Sequence, residues 1–148
     1  MEVVPMHRYL VVANQTLGGE PLFTRIRELA REAPSAFHVV VPATPPRDHV
    51  WTEGEAREVA QTRLDGALKR LAELDVEADG EVGDESPMLA IEDAIRDGGQ
   101  YEAIVLSTLP PRLSRWLKVD LVHRVESAFG VRVFHVVGEP DNAGAARR

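Results

Sequence analysis

Five short apolar runs, rich in β-branched residues, alternate along the chain with longer stretches in which apolar residues recur every three or four positions. The first run, Tyr9-Leu10-Val11-Val12-Ala13, is continuous, the pattern of a strand covered on both faces. After the turn residues Asn14 to Gly19, the spacing of Leu22, Ile26, Leu29 and Ala33, with Phe23 and Ala30 beside them, predicts a helix stopped by Pro34 and Ser35. The second strand, Phe37 to Val41, ends at Pro42, which cannot donate to a sheet ladder. A Pro-rich loop through Thr44 to His49 leads to a long helix from Glu53, with Ala56, Ala60, Leu64, Ala67, Leu68, Leu71 and Leu74 along one stripe. Its other face, Glu55, Arg57, Glu58, Arg63, Lys69 and Arg70, reads as solvated.

The third strand, Val76 to Val82, carries alternating acidic residues and is expected near a sheet edge, where charge discourages unwanted pairing. Ser86-Pro87 starts a helix by capping an open N–H and placing proline where no hydrogen bond is lost. That helix presents Met88, Ile91, Ala94 and Ile95 before Gly98-Gly99. The fourth strand, Ala103 to Leu106, stops at Ser107-Thr108. A last helix is predicted from the row Leu113, Leu117, Leu121, Val125 and Phe129, ended by Gly130, and the fifth strand is Val131 to Val137. The segment 139–148 has no apolar face and is expected to be a disordered tail on a domain spanning 7–138. Strict alternation of strand and helix predicts an α/β fold, a mostly parallel sheet with helices on both faces. Ligands of such sheets bind beyond the carboxyl ends of the strands, so the loops after the first, second and fourth strands are the ones to watch.

The 148 residues fit one domain. The apolar runs are too short to cross a bilayer, and the amino-terminal residues form no secretory signal, so a cytoplasmic protein is expected. Without cysteine, disulfides, thiolate metal sites and cysteine nucleophiles are excluded. A formal net charge of -7 argues against duplex nucleic-acid binding; the one basic cluster is Arg112, Arg115 and Lys118.

The β-α order over residues 7 to 137, the opening strand with its polar turn, and the final unit together resemble the universal stress protein family. The final unit runs from Val105-Leu106-Ser107-Thr108 through Leu113-Ser114-Arg115-Trp116-Leu117 to Phe129-Gly130-Val131-Arg132-Val133-Phe134-His135-Val136-Val137. The resemblance implies a five-stranded sheet ordered 3-2-1-4-5, of the adenine nucleotide alpha hydrolase-like, Rossmann-like kind, and a homodimer formed across the last strand. In the ATP-binding branch of that family an Asp ends the first strand and a Gly-x2-Gly-x9-Gly-Ser/Thr stretch follows the fourth. Here Asn14 stands at the Asp position, and the three glycine positions fall on Ser107, Pro110 and Asp120, or on Val119 in a shorter register. Two prolines remove backbone donors and an aspartate repels phosphate, so no cofactor is expected, with ATP or another nucleotide held in a different manner as the alternative.

Asn14, Thr16, Ser107, Thr108, Arg112, Ser114 and Arg115 are the candidate ligand-binding residues, because the predicted topology gathers them on one rim. Capping by the hydroxyls and solvation of the arginines is the structural alternative. None of the five histidines forms a strong metal motif, so neither a metal nor a catalytic residue is assigned. Asp48-His49 and the pair Asp120 and His123 are the residues a hydrolase or transferase would use, and Trp51 and Trp116 are candidate ligand or interface aromatics. Gly18-Gly19 lacks the full dinucleotide-binding pattern and reads as a turn. The expected function is a nonenzymatic, homodimeric stress-response or regulatory protein that binds a small ligand or a protein partner, with Val131–Val137 as the dimer strand. A nucleotide-binding switch is the alternative.

Overall fold

The apolar run nearest the amino terminus becomes β1 (His7–Val12), and Leu10, Val11 and Val12 have no exposed surface. The computed structural model describes residues 6–45 and 50–138. The tail from 139 onward and Asp48-His49 lie outside the described residues. Four further strands follow: β2 (Ser35–Pro42), β3 (Glu77–Gly83), β4 (Ala103–Thr108) and β5 (Arg132–Val137). All pairings are parallel, in the order β3-β2-β1-β4-β5.

The helices are α1 (Glu20–Glu32), α2 (Glu53–Glu73), α3 (Pro87–Gly98), α4 (Arg115–Lys118) and α5 (Leu121–Phe129). Successive residues of a strand point to opposite faces, and the core divides accordingly. Tyr9, Val11, Val39, Val41 and Val105 pack under α1 and α2, through Leu22, Phe23, Ile26, Leu64 and Leu71. Leu10, Val12, Val40, Ile104 and Leu106 pack under α3 and α5, through Ile91, Ala94, Leu121 and Val125. Thr52 and Glu55 close a reciprocal capping box at the start of α2. No helix among the described residues is long and apolar enough to cross a membrane.

The final helix departs from the expectation. The leucine row does not lie on one continuous helix: the chain breaks at Asp120, whose φ of 55° is left-handed, and separates α4 from α5. Aspartate tolerates that conformation better than most residues. Leu121 and Val125 remain fully buried, while Leu113 stays 51% exposed in the turn ahead of α4.

The acidic alternation on β3 has a partner on β2. Parallel register sets His38 beside Asp79, and its two ring nitrogens lie 2.8 Å from Asp79 Oδ1 and 2.8 Å from Glu81 Oε2. Burial of the ring opposes its charge, but the hydrogen bonds and negative charges of Asp79 and Glu81 outweigh it and raise the His38 pKa. A raised folded-state pKa means this stabilisation is complete below about 6.5, the ordinary histidine value, and is lost as pH rises through the folded value. The wild-type chain should therefore lose urea stability between about pH 5.5 and about pH 8.5 by more than a His38→Gln variant does. Equal losses in the two proteins would refute the role of this cluster.

Candidate functional site

At β1 the crossovers diverge: the chain leaves toward β2 on one side, and β4 enters on the other. The loops beyond the two strands separate there and leave a crevice. A cleft of about 390 Å³ occupies this position. Asn14, Thr16, Ser107, Thr108, Arg112, Ser114 and Arg115 all line it, so the seven residues singled out from the sequence meet in one place. Gln15, Thr44, Pro45, Leu109, Leu113 and Trp116 complete the wall.

Among the described residues, the buried polar side chains are Asn14, Thr16, Ser107, Thr108 and Ser114, and every one belongs to this cleft. Two of them are committed to holding the fold. Asn14 donates through Nδ2 to Pro42 O (2.8 Å) and Thr44 O (3.2 Å), and its Oδ1 accepts from Arg63 Nη1 (2.6 Å). An aspartate could accept from Arg63 but could not donate to the two carbonyls. The amide thus ties β1 to the loop after β2 and to α2, with no donor left for a ligand. Arg63, read from the sequence as part of the solvated face, instead reaches the back of the cleft. Ser114 accepts from Leu117 N (3.1 Å) and caps α4.

The remaining groups face the cleft differently. Thr16 Oγ1 and Ser107 Oγ lie 2.5 Å apart, and the residues are only 2% and 1% exposed. One hydroxyl donates to the other, so the acceptor's own proton has no acceptor among the described residues and needs one in the cleft. Thr108 Oγ1 lies 2.9 Å from Leu109 O and 2.8 Å from His135 Nε2. Arg112 is exposed and makes no hydrogen bond or ion pair with a described residue. Arg115 donates to Pro45 O (2.9 Å), which closes one side of the cleft.

The loop after β4 owes its form to its prolines. Pro110 O accepts from Leu113 N (2.8 Å) and Ser114 N (2.9 Å), and this turn sets α4 over the cleft. Trp116 packs on the α3–α5 core and also lines the cleft. Buried hydroxyls, a guanidinium with no partner among the described residues and an apolar wall of Leu109, Leu113 and Trp116 suit an anionic group attached to an apolar body.

The other candidates do not join this site. Asp120 occupies the left-handed turn before α5, and the His123 ring lies 3.4 Å from Ser127 Oγ. Among the described residues no group of three His, Asp or Glu side chains could hold a metal ion. Comparison with protein-family models and with curated proteins finds no match for this chain.

Replacing Asn14 by Leu keeps a side chain of similar size but takes the donor from two carbonyls, Pro42 O and Thr44 O, and one acceptor from Arg63. The variant should unfold with a stability lower by about 1–3 kcal/mol in urea titration, as expected when buried polar groups lose their partners. A change within experimental scatter would mean that the amide does not secure the loop.

Proposed function

We propose that this chain is a nonenzymatic regulatory protein, resembling the universal stress proteins and acting in the cytoplasm, whose cleft above β1 and β4 binds a small ligand through an anionic group. The observation that carries the reading is the convergence of the buried hydroxyls of Thr16, Ser107 and Thr108 on a cleft whose rim holds Arg112, which has no partner among the described residues. The buried proton of the Thr16–Ser107 pair that has no acceptor among the described residues is costly, and an anion in the cleft relieves that cost. A nucleotide-binding switch is the second reading. Arg112 beside three hydroxyls favours it, since they supply donors where the ATP-binding family members use glycine-rich backbone.

The test is the thermal midpoint of the purified chain with millimolar Mg-ATP, AMP and related phosphorylated ligands. A ligand at about a hundredfold excess over its Kd adds about 2.7 kcal/mol to stability, so a rise of several degrees is expected, and Arg112→Ala should abolish it. A rise that survives in Arg112→Ala would remove the site from the cleft.

The reading includes a homodimer across Val131–Val137. β5 ends the strand order, so its outer edge is unpaired among the described residues, and Val137 there is 45% exposed. Such an edge is a template for a second strand, and a two-fold axis pairs it antiparallel with its own copy. Light scattering at micromolar concentration should give the mass of a dimer, and Val137→Lys should shift it toward the monomer. A monomer for the wild-type chain would overturn the assembly.

A further inference from the structure

One hydrogen bond joins the floor of the cleft to the outer strand of the sheet. Thr108 Oγ1, buried in the cleft wall, lies 2.8 Å from Nε2 of His135 on β5 and 2.9 Å from Leu109 O. A hydroxyl has one proton to give. When His135 carries its proton on Nδ1, its bare Nε2 takes the Thr108 proton, and the hydroxyl turns only lone pairs toward the cleft. When Nε2 is protonated, the ring donates to Thr108, and the hydroxyl proton is released to Leu109 O or to an acceptor in the cleft. The doubly protonated ring enforces the second arrangement and adds a positive charge one hydrogen bond behind the hydroxyl.

We propose that anion binding in the cleft is proton-linked through His135, a positioning residue that, by way of Thr108, raises affinity for the anion when its ring is charged. The inference rests on the reading of the cleft as an anion site. The surroundings leave the ring free to respond. From β4 it meets Thr108, and α5, which packs on β5, carries His123, Arg124 and Glu126. None of these nor any other charged group among the described residues shifts the ring, whose pKa is lowered by burial alone. The ring is therefore mostly neutral at pH 7 and can take up a proton when an anion arrives. By linkage, affinity is highest below the free-state pKa, falls as pH rises through the free and then the bound value, and is level above both.

Sulfate is the probe, because its charge is constant over this range while that of phosphate is not. Calorimetry on the full chain should find sulfate bound severalfold more tightly at about pH 5.5 than at about pH 8.5, approaching about tenfold where the pH falls below the free ring's pKa, for a rise of about one pH unit in the His135 pKa on binding. His135→Gln should bind with a flat pH profile at the weaker level, and Arg112→Ala should lose the sulfate at both pH values. NMR titration of the His135 ring in the unmodified chain, with and without sulfate, reads the linkage without any substitution. An unchanged ring pKa, or the same pH dependence in His135→Gln, overturns the linkage, while loss of binding in Arg112→Ala keeps the anion cleft. No sulfate binding at either pH overturns both.

Discussion

Parallel strands cannot be joined by a tight turn, so each connection crosses a face of the sheet, and β1 is the strand at which the crossings part. That constraint creates the crevice and places the ends of β1 and β4 side by side beneath it. Beyond the end of β1 the chain turns away, and the backbone carbonyls of Pro42 and Thr44, at the end of β2 and in its loop, bond to a side chain. Asn14 supplies it, bonding Pro42 O and Thr44 O while accepting from Arg63. The position of the cleft's far wall follows from that amide.

The opposite wall is built by other means. Where glycine-rich phosphate loops present backbone N–H groups, the segment after β4 has two prolines and a tight turn on Pro110 O that caps α4 through Ser114. Polar donors toward the cleft therefore come from side chains: the Thr16 and Ser107 pair, Thr108 and Arg112. Hydroxyls supply donors without charge, and the guanidinium at the rim supplies the charge. The result is a cleft suited to an anion but differently constructed from a backbone cradle.

Two histidines on the strands illustrate how position decides protonation. His38 stands between two carboxylates of the edge strand β3, whose bonds and charges outweigh its burial and raise its pKa. His135 has burial without a counter-charge, and its pKa is lowered. The same side chain is thus pushed toward its charged form beside the acidic edge strand and toward its neutral form near the cleft.

Much of this was legible in the chain itself. The continuous run Tyr9 to Ala13, the stripe from Ala56 to Leu74 and the cap at Ser86 specify their elements, because hydrophobic period and end-capping are local properties. The alternation of those elements, with the strand order implied by the family resemblance, also gathered Asn14, Thr16, Ser107, Thr108, Arg112, Ser114 and Arg115 on one rim. What each of them does was not legible. Asn14 bonds to Arg63 and Pro42, and His38 to Asp79 and Glu81, across sequence separations that no periodicity encodes. The break at Asp120 escaped for a related reason: the leucine row keeps helical spacing through it, and the left-handed turn is set by how α4 and α5 pack. The sequence alone determined the strands and most of the helices, since hydrophobic period and capping follow from neighbours along the chain, and their order was enough to name the loops that form the rim. Only the tertiary structure decided which polar groups are used up by the fold and which remain for a ligand, since a hydrogen bond spends its donor on whatever partner folding brings within 3 Å.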